Sequence, residues 1–202
     1  MEISITEIDS VSAILQYGRD YNAGNVAILN FADYKNPGGG FIRGSIAQEE
    51  CLCHESFLYN VLKKFPEYYE HNIKNMNKSL YTNRALYSKD VIFERDKMFC
   101  KCDVITCAAP NYKSAFDMYN ISNEENTKFL RRRIKFVLDI AEHNKVDTLI
   151  LGAYGAGVFG QSVEEVAHIF KEYLNENRYC FRKIIFAIIP GVNVEPFKKA
   201  FE

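Results

Sequence analysis

Residues 26–50 read VAILNFADYKNPGGGFIRGSIAQEE, and this stretch carries three signals in succession. Val26–Phe31 is a short, nearly unbroken apolar run, the pattern of a strand covered on both faces. Gly38, Gly39 and Gly40 follow, and three consecutive glycines permit backbone conformations and close approaches that any side chain would block. Gln48, Glu49 and Glu50 then open a helical pattern expected to continue through Leu62, so two adjacent carboxylates stand at a helix start beside the glycine loop.

Working outward, apolar segments rich in Val, Ile and Phe recur at residues 3–8, 91–93, 104–107, 148–151 and 184–189, giving six candidate strands with Val26–Phe31. Helical periodicities separate them: Val11, Ile14 and Leu15; Leu58, Val61, Leu62 and Phe65; Leu130, Ile134, Val137, Leu138 and Ala141; Val163, Val166, Ala167, Phe170 and Leu174. The last begins with a capping-box pattern, Ser162 and Glu165. Residues 66–89 lack strong periodicity and are expected to form a long connection or an irregular helix. Strands alternating with helices imply a parallel or mixed sheet covered on both faces, with function in the loops beyond the carboxyl ends of the strands.

Two such loops stand out. In the first, acids in a helical first turn ordinarily serve the helix dipole, but paired carboxylates next to a strand and three glycines suit glycoside cleavage, which needs a protonated acid at the leaving oxygen and polar groups around the sugar. A helix start favours the carboxylate form, so an acid there holds its proton through burial, a like-charged neighbour or an anionic ligand. In the second, residues 152–160 read GAYGAGVFG between a strand and a capped helix, a candidate cradle for a pyrophosphate. No Lys-Ser/Thr follows, so it is not an ATP-type loop, and it is not the first strand–helix turn where the dinucleotide fingerprint sits. Phe159, held between Val158 and Gly160, either anchors that loop or packs on a ligand ring.

Composition narrows the classes. The chain has 202 residues, 48% of them hydrophobic, and a formal net charge of −1, so one domain with its own core is expected and strong direct nucleic-acid binding is not. No signal peptide or membrane-length apolar run is present, which reads as a soluble cytoplasmic protein. Cys51, Cys53, Cys100, Cys102, Cys107 and Cys180 are expected to remain reduced. The Cys51/Cys53 and Cys100/Cys102 spacings do not suit a metal, so neither metal nor cofactor is expected. The run Arg131-Arg132-Arg133 reads as a solvated helix face.

The segments at residues 29–62, 86–96, 103–111 and 151–160, above all the triple glycine leading to Gln-Glu-Glu, resemble the microbial-type poly(ADP-ribose) glycohydrolases, a family of macrodomain fold. The resemblance implies a three-layer α/β/α architecture with a mixed central sheet. It also implies hydrolysis of ribose–ribose bonds at chain ends, with ADP-ribose, poly(ADP-ribose) or ADP-ribosylated macromolecules as partners of a monomeric enzyme. It makes Glu50 the catalytic acid and Glu49 its partner on the ribose hydroxyls. Gly38, Gly39 and Gly40, Asn36 or else Asp33, Gln48, and Gly155, Ala156, Gly157, Val158 and Phe159 are its implied substrate contacts, with Ile8 and Asp9 for adenine. The family's N-terminal helical region has no counterpart before the first strand, so a single domain over residues 1–202 lacking most of that extension is expected. The alternatives are a mono-ADP-ribosyl hydrolase and a reader that binds ADP-ribose without cleaving it.

Overall fold

A computed structural model describes residues 1–202. Six strands form one mixed sheet in the order β1-β6-β5-β2-β4-β3, with β1 Glu2–Thr6, β2 Val26–Phe31, β3 Leu86–Arg95, β4 Met98–Cys107, β5 Thr148–Leu151 and β6 Lys183–Ala187. All neighbours are parallel except the antiparallel pair β3 and β4. Eight helices complete the chain: α1 Ser10–Gly18, α2 Gln48–His54, α3 Leu58–Leu62, α4 Pro66–Lys74, α5 Tyr112–Tyr119, α6 Asn123–His143, α7 Val163–Glu176 and α8 Val194–Phe201.

The alternation of side chains along each strand builds the three layers. Ala27, Leu29, Ile105, Leu149 and Phe186 face a core closed by α6, α7 and α8. Their neighbours Val26, Ile28, Val104, Ile150 and Ile185 face a second core closed by α1, α2 and α3. Fully burying one such Leu, Ile or Phe side chain is worth roughly 1.5–3 kcal/mol, so the two faces together dominate stability. The expected three-layer macrodomain-like architecture is what forms. No helix is long and apolar enough to cross a membrane.

The local expectations fare less evenly. The single helix expected over residues 48–62 is broken: Ser56 bridges to Phe93 on β3, donates its hydroxyl to Leu52 O and accepts from Leu58 N. Strand pairing and the hydroxyl bonds of one serine end α2 and start α3. Residues 66–89 hold the regular helix α4, opened by Pro66 and burying Tyr68, Tyr69 and Asn72; tyrosines hid its apolar face from the periodicity. The strands at 91–93 and 104–107 extend into a ten-residue hairpin pair, turning at Asp96 and Lys97 with φ of 51° and 64°, a left-handed turn without the usual glycine. Of the basic run, Arg133 is buried, with Leu130, Ile134 and Val137, because helical periodicity puts it on the core face. There it donates to the carbonyls of Leu80 and Ala108 and to Asn83 Oδ1. The Ser162–Glu165 box forms by half: Ser162 Oγ accepts from Glu165 N, while the Glu165 carboxylate accepts from Thr127. All six cysteines are free thiols.

Candidate active site

Strand order reverses at β2, which leads the chain to β4 and β3 on one side and has β5 and β6 on the other. A cleft of about 530 Å³ opens there, at the carboxyl ends of the strands, where open α/β sheets bind ligands. Pairing explains the opening. β2 pairs with β5 only as far as Ile28 but with β4 as far as Phe31, leaving backbone groups at the end of β2 unpaired on the β5 side. Gln48 occupies them: its Oε1 accepts from Phe31 N at 2.9 Å and its Nε2 donates to Leu29 O at 3.0 Å and Ser10 Oγ at 3.2 Å. The carboxamide of Gln48 therefore clamps α2 onto β2 and lines the cleft with its donors and acceptor already engaged.

This clamp delivers the two acids. Glu49, 2% exposed, accepts from Asn30 Nδ2 at 3.1 Å through Oε1 and from Asp33 N at 2.7 Å through Oε2. Burial pushes its carboxyl up to about 8, and nearby Asp33 and Glu50 push the same way, against the two hydrogen bonds that lower it. Glu50, 7% exposed, accepts from Gly40 N at 2.7 Å through Oε1, and its Oε2 has no partner within the chain. Both carboxylates crowd Gly39, whose φ of +58° also requires glycine: a Cβ there would stand 2.5 Å from Glu50 Oε1 and 3.2 Å from Glu49 Oε2. A 3-10 turn, Phe41–Arg43, joins the glycines to α2 and ends at Gly44.

The second loop lines the same cleft. Gly155, Gly157, Val158 and Phe159 line it, and their four N–H groups make no hydrogen bond within the chain, whereas those of Tyr154, Ala156, Gly160 and Gln161 do. Free N–H groups gathered on one wall form an anion-binding concavity. The start of α7 does not line the cleft, so the loop rather than the helix end provides this wall. Phe159 anchors the loop, packing against the core, and also lines the cleft. An aromatic chain ties the loops together: Tyr34 stacks on Tyr81 with ring centroids 4.6 Å apart, and Tyr81 lies 6.4 Å from Phe159.

Of the site residues implied by sequence, the cleft wall holds Asp9, Gly40, Gln48, Glu49, Glu50, Gly155, Gly157, Val158 and Phe159. Ile8 packs against the core instead. Asn36 turns its backbone and side-chain nitrogens onto Asp33 Oδ1, and Asp33 takes the wall position. Gly38 and Gly39 lie behind the wall, making room for Tyr59, Cys53 and the two glutamates, and the Ala156 amide closes a turn onto Ala153. Asp9 caps α1 through Val11 N and Ser12 N and pairs with Arg95, which also grips Glu55 at the end of α2. Burial works to raise the Asp9 carboxyl, but bonds from Arg95 and Ser12 outweigh it and hold Asp9 below the usual range. Sequence reasoning missed Asn30, a lone polar residue in an apolar strand that is fully buried and reaches both Glu49 and Thr106 Oγ1. It also missed Arg43, Ser45 and the segment from Ala187 to Ile189 with Asn193.

The three-layer α/β/α fold thus brings paired acids and a loop of unpaired N–H groups together at the sheet's switch point. The family model for the microbial-type PARG catalytic domain matches residues 1–96. Over 100% of this chain and 77% of its own, the poly(ADP-ribose) glycohydrolase (PARG) of Thermomonospora curvata is 32% identical with a TM-score of 0.92. The enzyme of Deinococcus radiodurans, solved in complex with ADP-ribose, is 31% identical over 99% of this chain and 84% of its own, with a TM-score of 0.91. The Thermomonospora curvata enzyme bound to the inhibitor ADP-HPD is 31% identical over 98% and 78% of the two chains, with a TM-score of 0.88. No curated protein is significantly similar to the sequence. The chain belongs to the microbial-type poly(ADP-ribose) glycohydrolase family.

Proposed function

We propose that this protein is a poly(ADP-ribose) glycohydrolase that cleaves ribose–ribose O-glycosidic bonds at chain ends and releases ADP-ribose. The observation that carries the reading is the placement of Glu50 in the cleft. Gly40 N–H fixes one carboxyl oxygen at 2.7 Å, and the other is left for the scissile bond. The unpaired N–H groups of Gly155, Gly157, Val158 and Phe159 support a diphosphate site in the same cleft.

The reaction follows from general acid–base chemistry. A proton on Glu50 passes to the leaving ribosyl oxygen as the C1″–O bond breaks, the electron pair leaves with that oxygen, and positive charge develops on the sugar ring. The substrate's diphosphate lies near that charge and stabilises it. Water then adds at C1″ and returns its proton to Glu50. Glu49 holds the ribose hydroxyls, positioned by Asn30 and by the Asp33 amide. On this reading the enzyme works as a single domain, a monomer in the cytoplasm, and needs neither metal nor cofactor. The test is to incubate the protein and its Glu50→Gln variant with poly(ADP-ribose) and quantify ADP-ribose. Release by the wild type alone is expected; no release by a wild type that binds ADP-ribose would make it a mono-ADP-ribosyl hydrolase or a reader.

A further inference from the structure

Four of the residues lining the cleft, Asp9, Asp33, Glu49 and Glu50, are acids, and the proposed ligand is itself an anion. Part of this repulsion is answered within the chain. Arg95, shared with Glu55, offsets part of the charge of Asp9 across 2.9 Å, and burial favours the protonated form of Glu49. Arg43 is the one cationic residue on the cleft wall. It is exposed, and despite the acids around it, it joins none of the ion pairs of the fold.

Its backbone is not free to wander. Arg43 N donates to Gly40 O at 2.8 Å, and Gly40 N is the donor that orients Glu50. The peptide units that aim the acid and carry the guanidinium thus belong to one short turn. An arginine beside carboxylates ordinarily pairs with one of them; here the charge is held on the wall of an anion cleft with its five donors unspent.

We propose that Arg43 pairs with a phosphate of the ADP-ribosyl substrate and is a specificity-determining residue of this cleft, an assignment that rests on the function proposed above. A guanidinium presents two parallel N–H groups that match two phosphate oxygens, which an ammonium cannot reproduce. The phosphate belongs either to the unit being released or to the unit left on the chain. Both present the same chemistry to Arg43.

The experiment compares the full-length wild type with Arg43→Ala and Arg43→Lys, after equal thermal midpoints establish that all three fold. Affinities for ADP-ribose, and for intact poly(ADP-ribose) with Glu50→Gln added to each protein, are measured at low and high salt, together with steady-state kinetics of the proteins carrying Glu50 on the polymer. Loss of a charge-assisted bond predicts that Arg43→Ala raises KM roughly 10- to 100-fold, changes kcat far less and flattens the salt dependence, with Arg43→Lys between. Weakened binding of both ligands assigns the phosphate to the released unit, and weakened binding of the polymer alone assigns it to the unit left behind. Unchanged affinities, KM and salt dependence in Arg43→Ala would overturn the proposal. A wild type that binds both ligands without cleaving would sink the hydrolase reading instead, while the affinities still decide the role of Arg43.

Discussion

Gly39 leaves open the space that Glu50 occupies: a Cβ on Gly39 would lie 2.5 Å from Glu50 Oε1 in a backbone conformation, φ +58°, that L side chains rarely adopt. Gly39→Ala must therefore displace the acid or the loop, on top of about 1–2 kcal/mol for the left-handed backbone. The expected result is a fall in turnover of about 100-fold or more with the fold retained, because the general acid itself contributes on the order of 10²–10⁴. Polymer turnover beside a thermal melt checks it.

Glu50→Gln keeps the shape of the side chain and removes its transferable proton. Turnover should fall by roughly 10³-fold, within the range for general acids, while the affinity for ADP-ribose stays within a few-fold. Calorimetric titration with ADP-ribose alongside the rate assay separates the two; wild-type turnover would remove Glu50 from the catalytic role.

Glu49 is raised by burial from 4.5 to about 8, so the folded protein holds a proton there that the unfolded chain gives up. The stabilisation this provides is complete below about 4.5 and is lost as pH rises through about 8. Denaturation midpoints should decline across that window in the wild type and less steeply in Glu49→Gln. ADP-ribose binding should weaken above about 8 in the wild type, where Glu49 becomes an anion, and stay level in the variant. Parallel pH slopes for the two proteins would contradict the assignment.

Gln48→Leu leaves Leu29 O and Phe31 N without the partners they now have at 3.0 and 2.9 Å. Unsatisfied buried groups cost about 1–3 kcal/mol each, so a loss of a few kcal/mol is expected, with faster hydrogen exchange at the Phe31 amide. A variant with wild-type stability and exchange would show that α2 docks without the clamp.

Arg95→Met removes the cation shared by Asp9 and Glu55. Asp9 is held below its usual value of 3.8 in the fold, so the stability it gains from Arg95 is fully present above that pH and lost as pH falls through the depressed value. The variant should be less stable than the wild type at neutral pH, and the gap should close under acid. Acid titration of both proteins by circular dichroism would reveal a constant gap if Arg95 acts through packing alone.

Much of this was legible along the chain because it is local. The six strands, the glycine run, the acid pair and the second glycine loop are each written in consecutive residues, since period, glycine and helix-start chemistry act over a few positions. The sequence determined the layered α/β class and the segment carrying the acids. Tertiary structure decided what those residues do. Gln48 serves as a clamp because β2 outruns β5, and Arg133, placed on the core face by its helix, is satisfied there because two distant carbonyls accept from it. The 48–62 helix breaks because an edge strand captures Ser56. Glu49 and Glu50, neighbours of the same chemistry, acquire different partners because one meets Asn30 and Asp33 and the other meets Gly40. The physical reason is common to all of these: burial and hydrogen-bond partners come from residues far apart in the chain, and only the packed sheet brings them within 3 Å or so of one another.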